Sequence, residues 1–107
     1  MNTQFKKGVI EMCVLKMISR KDMYGFEVIE HISQEIDVNE NTIYPILRRL
    51  TKQEYFDTYS ESMSIGAPRK YYRISEIGKE QLSLYENEWG TFIRSVSRIL
   101  GGNEDEK

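Results

Sequence analysis

Six apolar residues toward the C-terminal end, Leu82, Tyr85, Trp89, Phe92, Val96 and Ile99, recur at spacings of 3, 4, 3, 4 and 3. That period draws one stripe along a helix, with the geometry of a coiled-coil seam. Ile93 and Leu100 widen it. A chain of 107 residues makes one domain with a modest core. Such a body is too small to cover the stripe along its whole length. The expectation is a long helix from Glu76 to about Leu100, capped by Ser75, that pairs with the same helix of a second copy. The competing reading folds this helix back onto its own domain. Gly101, Gly102 and Asn103 end the helix, and the charged tail from Glu104 to Lys107 is expected to fray.

Upstream, the pattern changes period twice. Phe5 to Ser19 reads as a first helix whose apolar residues, from Val9 to Ile18, cover nearly every face, which predicts burial between two bodies. Arg20, Lys21 and Asp22 form a turn, with Asp22 as the expected N-cap of a second helix over Met23 to Glu35. Phe26, Ile29 and Ile32 give that helix its apolar spacing. A third helix, capped by Asn39 or Asn41, continues to about Lys52 with the stripe Ile43, Ile46, Leu47 and Leu50. Pro45 lies inside it. An Asn41 cap puts Pro45 in the first turn at little cost, whereas an Asn39 cap predicts a slight kink. Tyr55 to Glu61 and Arg69 to Ile74 are aromatic and β-branched, separated by a Gly- and Pro-containing loop, and read as a β-hairpin. Three helices, a hairpin and a long helix make an α+β chain, mainly α. The order is that of a winged helix-turn-helix domain over residues 1–75, followed by a dimerisation helix and tail over 76–107.

Several function classes are excluded by what the chain carries. Its one cysteine, Cys13, cannot form an internal disulfide and reads as a small buried hydrophobe. Its one histidine, His31, has no ligands at metal-binding spacing and reads as a surface helix residue. No phosphate loop, nucleophile elbow or zinc-protease motif occurs, so no enzyme, cofactor or metal is expected. No apolar run approaches the roughly 20 residues of a membrane span, and Met1 to Lys7 lead into no signal pattern, so the chain is placed in the cytoplasm. The net charge of −2 is unevenly spread. Between Asn41 and Ile74 lie Arg48, Arg49, Lys52, Arg69, Lys70 and Arg73 against Glu54, Asp57 and Glu61, a local +3 in a chain that is otherwise −5. Nucleic acid responds to the local field, because phosphate contacts act within a Debye length of roughly 8 Å.

Four strings resemble the PadR family of bacterial transcriptional regulators. They are Lys7-Gly8-Val9-Ile10-Glu11, Met23-Tyr24-Gly25-Phe26-Glu27-Val28, the third-helix string from Asn41 to Leu50, and the wing from Gly66 to Ser75 followed by Glu76-Ile77-Gly78. The third-helix and wing strings are the specific ones. The short C-terminal part is similar to the family's compact branch, which has a single dimerisation helix. The resemblance implies a repressor, a homodimer, and contact with double-stranded DNA through the Thr42–Tyr44 region and the Lys70 wing.

The residues themselves support the same candidate set. Thr42, Tyr44 and Arg48 lie on the helix face away from the apolar stripe, and a hydroxyl, a phenol and a guanidinium suit phosphate or base-edge contacts. Asn41, Arg49 and Lys52 on the same helix, and Arg69 and Lys70 in the wing, complete it, although Arg49 and Lys52 also read as ordinary solvated charges. A two-fold dimer would set two third helices about one DNA turn apart, so a palindromic operator is expected. Trp89, the only tryptophan, lies mid-seam. With Met12, Met17 and Phe92 as walls it is a candidate slot for a planar aromatic effector, which Glu86 and Glu88 would favour as a cation. The multidrug-sensing branch of the family, which has a tryptophan at the matching place, implies the same. Gly90, next in the chain, is a departure expected to loosen the helix there. The alternative function is a winged-helix protein–protein interaction module that does not bind DNA.

Overall fold

In a computed structural model the described chain runs over residues 3–101, so the expected stop at Gly102 and Asn103 and the charged tail lie outside the described residues. The element order is α1 (Thr3–Arg20), β1 (Met23–Tyr24), α2 (Gly25–Ser33), α3 (Glu40–Lys52), β2 (Phe56–Glu61), β3 (Arg69–Ile74) and α4 (Glu76–Ile99). The three strands form one antiparallel sheet in the order β1-β3-β2. This is the mainly helical α+β architecture, with a hairpin wing, that the period changes predict.

The core is where α1, α2, α3 and the sheet meet. Ile10, Val14, Leu15 and Ile18 of α1, Val28 and Ile32 of α2, all four stripe residues of α3, Phe56 and Tyr72 are buried there. The expected all-round burial of α1 is not what a single chain provides. Its buried residues form one stripe, while Met12, Cys13 and Met17 are half-buried against the core. Burial pushes the Cys13 thiol up.

The start of α2 departs from expectation. Met23 and Tyr24 are extended and pair with Tyr72 and Tyr71, adding a third strand to the hairpin. Asp22 therefore does not cap the helix; its carboxylate accepts a 2.7 Å hydrogen bond from the Tyr59 hydroxyl. Tyr24 occupies the cap position, and its N–H donates to the Glu27 carboxylate at 3.1 Å, the reach-back half of a capping box. In the helix Gly25, Val28 and Ile32 face the core while Phe26 is exposed. The α3 cap is Asn39, whose side chain accepts the Asn41 N–H at 2.8 Å. Pro45 is thus well inside the helix, where it withholds one ladder bond.

Ser75 joins the wing to α4. Its side chain accepts the Gly78 N–H at 3.0 Å and donates to the Glu54 carbonyl at 2.6 Å, while its N–H donates to the Tyr55 carbonyl. Gly78 packs so close to that junction that a Cβ would collide with the Tyr55 carbonyl oxygen and lie 2.8 Å from Ile74. Backbone cannot yield as a side-chain tip can. Gly78→Ala should therefore lower stability by about 2 kcal/mol despite the better helix propensity of alanine. Urea unfolding followed by circular dichroism checks this, and an unchanged or raised midpoint would contradict the close-packing account.

Candidate nucleic-acid interface

The apolar stripe of α3 decides what its other face presents. With Ile43, Ile46, Leu47 and Leu50 buried, Tyr44, Arg48 and Lys52 follow one another at i, i+4 and i+8 on the exposed side. Asn41 is exposed and Thr42 half-buried at the N-terminal end of the same helix. The wing stands beside this face. Lys70 and Tyr72 alternate on β3, so both point to the α3 side of the strand. The Lys70 ammonium lies 5.6 Å from the centre of the Tyr72 ring. Burial pushes the Tyr72 phenol up, the neighbouring Tyr44 phenol pushes it further, and Arg48 pulls it back. Between helix and wing runs a concavity of about 540 Å³ lined by Pro45, Arg48, Arg49, Thr51, Lys52, Lys70 and Tyr72. Four of these seven side chains are cationic and none is acidic, a field suited to a polyanion.

Two candidates are placed differently. Arg49 borders the concavity, but its guanidinium is ion-paired with Glu11 of α1. Glu11 also accepts a 3.3 Å hydrogen bond from the Tyr85 hydroxyl, so α3, α1 and α4 meet at one carboxylate. Arg69 alternates to the opposite face of β3, with its guanidinium 4.4 Å from the centre of the Tyr24 ring. That face carries an aromatic cluster. Tyr71 stacks on Tyr59 at 5.5 Å and meets Tyr24 edge-on, and Arg73 lies over Tyr59. The hydrogen bond to Asp22 holds the Tyr59 phenol above its ordinary value. Neither Tyr72 nor Glu11 was among the candidates. The period of two that Tyr72 shares with Lys70 is a sequence signal for the first. The Glu11–Arg49 contact joins residues 38 positions apart and leaves no local pattern.

The seam divides along its length. Leu82 is buried in its own chain and Tyr85 is half-buried against α1. Trp89 and Val96 are half-buried, whereas Phe92 is 51% and Ile99 83% exposed. The helix continues without a break through Gly90. Glu86 pairs with Lys16 of α1 at 2.9 Å. Among the described residues no three or more His, Cys, Asp or Glu side chains gather as a metal site, and no helix is long and apolar enough to cross a membrane.

Residues 14–84 match the family model described as the transcriptional regulator PadR-like family. A PadR-like transcriptional regulator from Bacillus cereus is 35% identical, with a TM-score of 0.83 over 94% of this chain and 100% of that one. A Streptococcus transcriptional regulator is 33% identical, with a TM-score of 0.84 over 94% of this chain and 100% of that one. An uncharacterised protein of Lysinibacillus sphaericus is 33% identical over 102 residues, spanning 92% of this chain and 94% of that protein.

Proposed function

The chain belongs to the PadR-like family of transcriptional regulators, and from that premise we propose that it is a ligand-responsive repressor binding a palindromic operator as a homodimer. The matched family and solved structures are regulators rather than enzymes. The observation that carries the DNA reading is the acid-free concavity between α3 and the wing. In this reading α3 enters the major groove with Asn41, Thr42, Tyr44 and Arg48 leading, while Lys52 and Lys70 hold phosphates on either side. Arg49 acts through its pair with Glu11, fixing α3 on α1, and Arg69 stiffens the wing against Tyr24. The protein acts in the cytoplasm, with residues 1–75 as the DNA-binding unit and 76–107 as the dimerisation element.

The dimer reading rests on what α4 leaves uncovered. Beyond Tyr85 the helix carries Phe92, Ile93, Ile99 and Leu100, all more than a third exposed. A second α4 laid against this stripe would remove them from water and bring two α3 helices onto one side of a duplex. The effector reading follows from that dimer. Trp89 and its symmetry mate would face each other near the two-fold axis, with Met12, Met17 and Phe92 as walls, forming a slot for a flat aromatic molecule. Glu86 is already engaged by Lys16, so Glu88 is the acid left to favour a cationic ligand. A ligand there would lower DNA affinity by changing the spacing of the two α3 helices.

Two titrations examine these readings. Against a promoter duplex, Lys70→Ala should weaken binding of all sequences and make the salt dependence shallower by about one unit, as expected for one lost phosphate contact. A wild-type protein that prefers no promoter DNA over random DNA at physiological salt would refute the DNA reading. Trp89 fluorescence should quench on titration with planar aromatic dyes, and Trp89→Ala should abolish any dye effect on DNA affinity. Unchanged fluorescence across a panel of such dyes would reduce Trp89 to a packing residue.

A further inference from the structure

Gly25 is the buried first residue of α2, and its backbone does not need glycine. Its φ lies outside the left-handed region, so any residue could adopt it. What a side chain there would meet first is the Tyr44 ring. A Cβ on Gly25 would stand 2.5 Å from Tyr44 Cε1 and 3.2 Å from both Cζ and the hydroxyl oxygen, and these are the three nearest atoms. The Tyr44 ring therefore lies directly on the Gly25 Cα. The floor beneath the ring is fixed. Met23 and Tyr24 are paired to the central strand, and Glu27 holds the Tyr24 N–H. The helix that carries the ring is fixed as well, because Ile43 and Ile46 on either side of Tyr44 are buried. The ring is the part of this contact that can yield, and the Tyr72 phenol, which the Tyr44 phenol influences, lines the concavity together with Arg48.

We propose that Gly25 is a positioning residue for DNA recognition: its missing side chain is the seat that sets the Tyr44 ring, and with it the height at which the Tyr44 hydroxyl meets the duplex. This rests on the DNA reading above and adds a second element to the recognition surface. The helix α2 sets the rotamer of a residue on α3. An added methyl would push the ring off its seat toward Arg48 and the wing, without disturbing the apolar stripe behind it.

The test is a double-mutant cycle read by fluorescence anisotropy on two duplexes of equal length, one selected by the wild-type protein from a random pool and one of random sequence. Gly25→Ala should bind the selected duplex roughly tenfold more weakly. It should bind the random duplex as the wild type does, since phosphate contacts are untouched. In a Tyr44→Ala background the same change should have no further effect, because the ring it displaces is gone. The unfolding midpoint of Gly25→Ala should be no lower than that of the wild type by more than a surface substitution would give. The positioning role is overturned if Gly25→Ala matches the wild type on the selected duplex, or loses the same factor with and without Tyr44. Tyr44→Phe keeps the ring on its seat and stays informative even if Gly25→Ala fails to fold. Full affinity in Tyr44→Phe would show that the seated hydroxyl does not meet DNA, and would also overturn the proposal. A wild-type protein that selects no duplex at all brings down the DNA reading itself, a different outcome from a selective wild type matched by its variant.

Discussion

Everything on the exposed side of α3 depends on the burial of its apolar side. Ile43, Ile46, Leu47 and Leu50 are each at most 1% exposed. Burying a side chain of that size contributes about 2 kcal/mol, an upper-end figure because the unfolded chain already buries some of it. The Arg49–Glu11 ion pair, partly exposed on both sides, is worth about 1 kcal/mol or less. The apolar stripe therefore sets the rotation of α3, and the ion pair trims it. Once that rotation is set, helical geometry places Tyr44, Arg48 and Lys52 outward, and the wing supplies Lys70 beside them. A chain that is acidic overall thereby presents a cationic concavity, because no acid lines it and Glu11 of α1, at its border, is engaged with Arg49.

The same logic shows why part of this was legible in the sequence. Stripes that repeat every three or four residues report burial directly in α3, whereas α4 buries only Leu82 of its stripe and half-buries Tyr85, Trp89 and Val96. Ser75 and Asn39 are short polar residues ahead of such stripes, and both cap as that chemistry requires. The β1 strand was not legible. Met23 and Tyr24 have no local alternation, and they are extended only because the central strand offers them Tyr71 and Tyr72 as partners. That long-range pairing overrides Asp22 as a cap. Strand alternation applied to β3 would have separated Lys70 from Arg69, since neighbours in a strand face opposite ways. Charge alone grouped them.

The structure also connects its two ends. Tyr85 on α4, Glu11 on α1 and Arg49 on α3 share one carboxylate, and Leu82 packs α4 into the core beneath them. These contacts join α4 to α3, the helix proposed to face DNA, through interactions of ordinary strength. In the proposed two-fold dimer that connection would occur twice, and the dimer would set the distance between two copies of α3.

Hydroxyl-radical footprinting of the wild-type protein on a duplex it selects tests this account most directly. The account predicts two symmetric protected patches on one face of the duplex, centred about one helical turn apart, roughly 34 Å. A single unpaired patch would contradict the two-fold arrangement of α3, and uniform protection without a phase would contradict recognition by α3 and the wing altogether.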